Sequence, residues 1–215
     1  MRTDIIKNWA NENGIVITDA QLALLERHQN MVLETNKYMN LTAITNLEEF
    51  AIKHIIDSLT LLPYIPQRTG ITLADIGTGA GFPGVVLAIM RPDLHVTLVD
   101  SLRKRVFFLQ EVVKELGLCN VGCIHSRGED LAREGKIFDI CTARAVARME
   151  KLVKWVLPIT KPGGTFLAMK GPDVAEELER AKPTLEKMGG HVKAVDLVEI
   201  ASELMHSVVV IQKNK

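Results

Sequence analysis

The sequence predicts an α/β fold of Rossmann-like type: a mostly parallel, doubly wound sheet with an antiparallel C-terminal strand, preceded by N-terminal helices. Three observations predict it. After Gly70, short apolar runs alternate with helical stretches, the pattern of parallel βαβ units. A glycine-rich turn, Asp75-Ile76-Gly77-Thr78-Gly79-Ala80-Gly81-Phe82-Pro83-Gly84, joins the first apolar run to the first helix after it. The last two apolar runs, 191–200 and 207–212, are joined by a short polar connection. Parallel neighbours need a crossover of about a dozen residues or more, so this last pair is expected to be antiparallel.

The elements follow in order. Thr3 is placed to cap a first short helix that Gly14 ends. Thr18-Asp19-Ala20-Gln21 has the form of a capping box, opening a helix with Leu22, Leu25 and Val32 on its apolar side. Residues 36–46 are polar and irregular, and 47–62 return to helix before Pro63 and Pro66 stop it. The prolines and Gly70 mark a boundary between an N-terminal helical cap, 1–65, and a sheet domain, 66–215. Residues 71–76 and 94–99 are expected strands, the second ending at Asp100, with a helix over 83–89 that has Pro83 in its first turn. Val106, Leu109, Val113 and Leu116 repeat at helical spacing, so 102–116 is an amphipathic helix stopped by Gly117. Further β-like runs lie at 121–124, 137–142 and 164–169.

Composition bounds the function. With 215 residues, the chain can bury one good core. Its 26 basic and 26 acidic residues balance, which counts against a protein that coats naked nucleic acid but allows a local basic patch. No apolar run approaches the roughly 18 residues of a membrane span. The start, Met1-Arg2-Thr3-Asp4, carries an acid and no apolar core, so no signal peptide is expected and the expected compartment is the cytoplasm. Cys119, Cys123 and Cys141 are odd in number, lack the C-x-x-C spacing of a zinc site and read as small buried hydrophobes, and the six histidines show no metal spacing, so no structural metal is expected. His95 is expected in the core, Trp9 and Trp155 as packing residues, and the chain as a monomer.

Two frames fit the glycine turn. From Gly79 it matches G-x-G-x-x-G, the dinucleotide fingerprint. From Gly77 it gives D-x-G-x-G-x-G, the form found in methyltransferases, and this frame is favoured because its first glycine falls where the strand ends. In that frame Gly77 and Gly79 shape the ligand turn, and Asp75 is placed to meet a methionine ammonium. In either frame Asp100, at the end of the second strand, accepts hydrogen bonds from ribose hydroxyls.

Five stretches carry a wider likeness: the turn itself, Leu98-Val-Asp-Ser-Leu-Arg-Lys-Arg105, Ser126-Arg-Gly-Glu129, Thr142-Ala-Arg-Ala-Val-Ala147 and Lys170-Gly171. With residues 36–45 and His54-x-x-Asp57-Ser58-Leu59, they make the chain resemble the RsmG (GidB) family over nearly its whole length. That family consists of bacterial class I methyltransferases that methylate guanine N7 in 16S ribosomal RNA. The resemblance implies S-adenosylmethionine as cofactor, and 16S rRNA or the 30S subunit as partner. It implies that Gly77 and Phe82 line the cofactor pocket, that Gly128 and Glu129 sit beside the adenine, and that Arg144 reaches the cofactor or the target. Many relatives have alanine at the position of Gly128. Guanine N7 needs no general base, so the one catalytic candidate, Arg144, is a positioning group for guanine O6 or the cofactor. Its structural reading is an ion pair with Asp139 or Glu129. Arg103, Lys104, Arg105, Arg148 and Lys170, with Arg127, Lys151 and Lys154, are candidates for an RNA-facing basic surface.

Overall fold

The computed structural model describes residues 1–202 and 204–214; Glu203 and Lys215, the last residue of the expected sheet domain, lie outside the described residues. Seven strands form one sheet in the order β3-β2-β1-β4-β5-β7-β6. These are β1 (Thr72–Ile76), β2 (His95–Asp100), β3 (Val121–His125), β4 (Phe138–Arg144), β5 (Thr160–Lys170), β6 (Gly190–Ala201) and β7 (Leu204–Lys213). The first five run parallel, and β7 is antiparallel to both β5 and β6. The expected antiparallel pair is present, with β7 inserted between β5 and β6 rather than added at the edge. The strand order reverses between β1 and β4, so the carboxyl ends of β1, β2 and β4 border the switch point where such sheets take ligands.

The alternation of side chains along β1 separates two cores. Leu73 packs on one face with Val85, Leu87, Leu98 and Leu109, from β2 and the helices α5 (Gly84–Met90) and α6 (Arg103–Leu116). Ala74 and Ile76 face the other way, against Leu131 of α7 (Gly128–Arg133), Val153 and Val156 of α8 (Met149–Val156), and Leu185 of α9 (Ala175–Lys187).

The N-terminal helices α1 (Thr3–Glu12) and α2 (Asp19–Asn36) belong to the first core: Ile6, Leu22 and Leu25 join the cluster of Val85 and Leu98. Across residue 66 the chain pattern changes, while the hydrophobic core is continuous. The capping box is formed, with the Gln21 amide donating to Thr18 Oγ1 and the Thr18 amide donating to Gln21 Oε1. Thr3 is not a cap: the non-helical N-cap position is Arg2, and Thr3 is already the first helical residue. The third helical stretch passes from α3 (Leu47–Phe50) through a π-helical segment, Ala51–Ile56, into α4 (Asp57–Leu59). That wider turn sets His54 and Asp57 on the side facing β4 and β7.

His95 is exposed, a correction to its expected core position: it opens β2 at the sheet's lower edge, and burial begins with its neighbour Val96. Cys141 is buried, Cys123 half-buried and Cys119 exposed, so only the first two act as packing groups. Among the described residues, no helix is long and apolar enough to cross a membrane.

Phe50, fully buried in the first core, tests the continuity across residue 66. Phe50→Ala is expected to lower stability by about 3–5 kcal/mol in denaturant unfolding. A loss too small to measure would place the N-terminal helices outside the core.

Candidate functional site

The turn after β1 is held from below. Gly77 and Thr78 both donate their amides to the carbonyl of Val99, at 2.8 and 3.1 Å, tying the turn to β2. Gly77 has φ +68°, and a Cβ there would come 2.6 Å from Val146 Cγ2, so this position needs glycine on both counts. Asp75 is fully buried; its Oδ2 accepts from Thr78 Oγ1 at 2.6 Å and from the Gly84 amide at 2.8 Å. Burial pushes its carboxyl up to about 6, against the opposing effect of those two bonds. Asp100 Oδ2 accepts from the Gly79 amide at 3.0 Å and its Oδ1 from the Leu102 amide at 2.8 Å. Arg105 stands 3.5 Å from the same carboxylate.

Beside the turn lies a crevice of about 370 Å³, within the range of small-ligand sites. Ile76, Val99, Val146 and Trp155 make its apolar walls; Ser101, Ser126, Arg127 and Glu129 make its polar rim. Gly77 and Gly128 present backbone to it. Gly128 opens α7 against the indole: a Cβ there would lie 3.1 Å from Trp155 Cβ.

A second cavity, of about 200 Å³, lies at the carboxyl ends of β4 and β5. Arg144, Lys170, Asp57 and His206 line it. Arg144 donates through Nη1 to Asp57 Oδ2 at 2.7 Å and to the Lys53 carbonyl at 2.8 Å, and meets His54 Nδ1 through Nη2 at 3.1 Å. His54 Nε2 lies 2.8 Å from Thr42 Oγ1. With an arginine at Nδ1, the ring is neutral and carries its proton on Nε2. Burial, then the charge of Arg144, lowers its pKa to about 3. The His54 ring stacks on Phe82, centroids 4.6 Å apart, and the Arg144 guanidinium sits 5.4 Å from the Phe82 centroid. His28 joins this cluster from α2, its Nε2 2.8 Å from the Ala80 carbonyl, and burial lowers its pKa to about 4.

One strand end separates the two spaces. Arg144 turns to the second cavity and Val146 to the crevice, with Ala145 between them. Ala145 has φ +55°, the one positive φ among the non-glycine described residues. A left-handed alanine costs about 1–2 kcal/mol, and such backbone is typical of functional sites.

The crevice brings together Gly77, Gly128 and Glu129 of the sequence candidates, while Gly79 lies behind its edge, bound to Asp100. Asp75 and Asp100 do not line it. Along β1 and β2 they point to the α5/α6 face, where their oxygens hold the turn. Phe82 does not line the crevice either: it is buried between His28, Phe50 and His54, because the turn folds it under rather than out. Arg144 pairs with Asp57 and not with Asp139, which binds Thr72, Lys161 and Arg68. Of the basic candidates, Arg103 and Lys104 are exposed on α6, and Arg105 leans on Asp100. Arg148 shares a shallow hollow with Glu150, Asp173, Glu176 and Glu177. Lys170 is nearly buried and held by Glu177 at 2.6 Å and the Ala147 carbonyl at 2.8 Å, so it is no part of an open basic face. Sequence reasoning missed Trp155 as a crevice wall, and missed His206 and the Asp57–Arg144 pair. Residue 155 borders the apolar stripe of α8 formed by Leu152, Val153 and Val156, a signal for a half-buried indole.

Strand order, the single reversed strand and a crevice beside a glycine turn define the class I methyltransferase fold. Solved structures agree. The YcgJ protein from Bacillus subtilis superposes with a TM-score of 0.59 at 15% identity, over 75% of this chain and 100% of that one. TrmN from Thermus thermophilus gives 0.58 at 20% identity, over 73% of this chain and 48% of that one. A SAM dependent methyltransferase from Aquifex aeolicus gives 0.55 at 21% identity, over 76% and 92%. At these identities the likeness is one of fold. The GidB family model, described as rRNA small subunit methyltransferase G, matches residues 21–205. Ribosomal RNA small subunit methyltransferase G of Clostridium perfringens (strain 13 / Type A) is 42% identical, over 99% of this chain and 90% of its own length. The protein of that name from Pelotomaculum thermopropionicum is 43% identical, over 89% and 82%. The chain belongs to the rRNA small subunit methyltransferase G family.

Two outcomes are expected from this geometry. Ala145→Val puts a β-branched residue at positive φ and is expected to lower stability by about 1–2 kcal/mol in denaturant unfolding; unchanged stability would mean that the bend relaxes. The second concerns pH. His28 and His54, depressed to about 4 and about 3 from 6.5, take up protons more readily when unfolded. The stability they contribute above pH 6.5 is therefore lost as pH falls through the range toward their folded values. Asp75, raised to about 6 from 3.8, acts oppositely: its contribution is present below pH 3.8 and lost as pH rises through about 6, so it offsets one histidine between them. The urea midpoint is thus expected to fall as the solution is acidified below pH 6.5, and His54→Gln should flatten that fall. A midpoint insensitive to acid in the parent protein would contradict the assignment.

Proposed function

We propose that this chain transfers a methyl group from S-adenosylmethionine to guanine N7 of 16S ribosomal RNA, acting on the small ribosomal subunit in the cytoplasm. One observation carries the reading: an apolar crevice beside a glycine turn shares the wall Arg144–Ala145–Val146 with a small cationic cavity. A donor on one side and a base on the other would meet across that wall. Membership in the methyltransferase G family supports the substrate.

The crevice fits the cofactor by chemistry and shape. Gly77 and Gly128 present bare backbone to it, Glu129 and Ser101 offer acceptors at the rim, and Trp155 with Ile76 and Val99 gives flat apolar surface. Glu129 and the backbone at Gly128 would hold the adenine end, and the Gly77 turn the amino-acid end. When bound, the cofactor supplies a sulfonium methyl, electrophilic at carbon.

The protein's own work is alignment. Guanine N7 has an in-plane lone pair and no proton at neutral pH, so transfer needs no base and moves no proton. Arg144 would donate to guanine O6 and leave N7 free; a bidentate grip on O6 and N7 would block the nucleophile. The walls Ile76, Val99, Val146 and Trp155 would exclude water. Exposed Arg103 and Lys104, near Ser101 on the crevice rim, and Arg127 on that rim would meet phosphates, with the N-terminal helices beside them.

The test supplies tritium-labelled cofactor and 30S subunits lacking the modification. Label should appear at guanine N7, and calorimetry should show binding of S-adenosylhomocysteine and none of NADPH. Label elsewhere, or none with an active control, overturns the reading. Arg103→Glu with Lys104→Glu is expected to raise KM for the subunit and to reduce the salt slope by about 1 for each phosphate no longer neutralised. An unchanged KM would remove both residues from the RNA surface.

A further inference from the structure

His206 of β7 is buried beside Asp57, 149 residues away in sequence. Its two ring nitrogens have different neighbours, and both neighbours are acceptors. Thr60 Oγ1 donates its only proton to the Asp57 carbonyl at 2.6 Å, so toward His206 Nε2, 3.1 Å away, it can only accept. On the other side Nδ1 makes a short contact with Asp57 Oδ1. Burial works to raise the Asp57 pKa, but the His206 hydrogen bond and the Arg144 charge outweigh it and hold it below the ordinary value. Asp57 is therefore a carboxylate, an acceptor only. Both ring nitrogens of His206 thus face acceptors, Asp57 Oδ1 on one side and Thr60 Oγ1 on the other. The charged and titratable groups that face it are Asp57 from α4, Arg144 from β4 and Lys170 from β5, around one cavity.

Asp57 is thus gripped from two sides, by His206 at Oδ1 and by Arg144 at Oδ2. The carboxylate fixes Arg144 in turn. Asp57, the Lys53 carbonyl and His54 Nδ1 take three of its five N–H groups, and among the described residues nothing accepts from Nε. Arg144, with these N–H groups uncommitted, lines the cavity where the proposed function places guanine O6.

We propose that Asp57 and His206 are positioning residues for methyl transfer, an imidazolium–carboxylate pair that sets the Arg144 guanidinium for the target base. This rests on the function proposed above. Neither residue touches the crevice, so neither acts on the cofactor.

Single-turnover transfer to unmodified 30S subunits, S-adenosylhomocysteine calorimetry and thermal melting test it on the full chain. Asp57→Asn must turn an amide N–H toward Arg144 or His206. Asp57→Asn and His206→Ala are each expected to slow transfer about ten- to a hundredfold, as a displacement near 1 Å does. Binding of S-adenosylhomocysteine should stay within about twofold, a change far smaller than removal of a group that touches the cofactor would bring. In a cycle with Arg144→Ala, the double variant Asp57→Asn/Arg144→Ala should be no slower than Arg144→Ala alone. Wild-type transfer rates in both single variants, or losses that multiply in the double variant, overturn the proposal. Should Asp57→Asn fail to melt cooperatively, nitrogen-15 shifts of His206 in the parent protein decide: two protonated nitrogens at neutral pH support the pair, and a neutral ring overturns it. No transfer by the parent protein would instead overturn the functional reading beneath it.

Discussion

Two buried carboxylates, one at the end of β1 and one at the end of β2, hold the turn on which the site depends. A chain that reverses through left-handed glycines leaves amides without helical or strand partners. Asp75 takes up the Gly84 amide together with the Thr78 hydroxyl, and Asp100 takes up the amides of Gly79 and Leu102. The Val99 carbonyl satisfies two more amides from Gly77 and Thr78. Asp75 keeps one buried oxygen without a partner, so this rigidity is set against a desolvation penalty that shows as its raised pKa. Both carboxylates lie on the α5/α6 side of the sheet. The opposite side of the turn is left clear, and there the crevice opens.

That division by side explains which parts of the site are legible in the sequence. Periodicity locates the strands to within a few residues, since parallel central strands are apolar runs and amphipathic helices repeat visibly. The capping box at Thr18 can be read because all of its partners lie within four residues. Gly77, Gly128 and Glu129 come from motifs that are local in the chain. Asp75, Asp100 and Phe82 stand in the right motif with a different orientation from the expected one: a motif gives proximity to a turn, whereas the face is set by strand parity and by what packs beneath. His95 departs from expectation for a related reason, because an apolar run does not say where along it burial begins. The Asp57–His206 contact spans 149 residues and depends on β7 lying next to β5, which no local pattern encodes.

The π-helical turn links these levels. Within Ala51–Ile56 the helix widens, and His54 and Asp57 reach the same guanidinium from one stretch of chain. Phe82, folded under the glycine turn, lies flat against His54. The chain of contacts from the turn through Phe82 and His54 to Arg144 therefore joins the crevice to the second cavity without a shared ligand. A rearrangement of the turn would disturb the arginine through packed rings, a physical route that requires no large motion.

Overall neutrality acquires a meaning in this setting. Many surface cations are answered by nearby acids, as in the pairs Arg27–Glu115 and Lys53–Glu49, so the molecule has little general attraction for phosphate. The cavity is different: with the His206 imidazolium proposed above, Arg144, His206 and Lys170 stand against Asp57 and Glu177, an excess of one positive charge in a small space. Guanine presents acceptors there and is neutral, so it is welcome on entry. Methylation at N7 leaves a cationic ring, which the same charges repel. In the proposed reaction, one arrangement both orients the substrate and hastens the product's departure, at the expense of some stabilisation of the charge that develops during transfer.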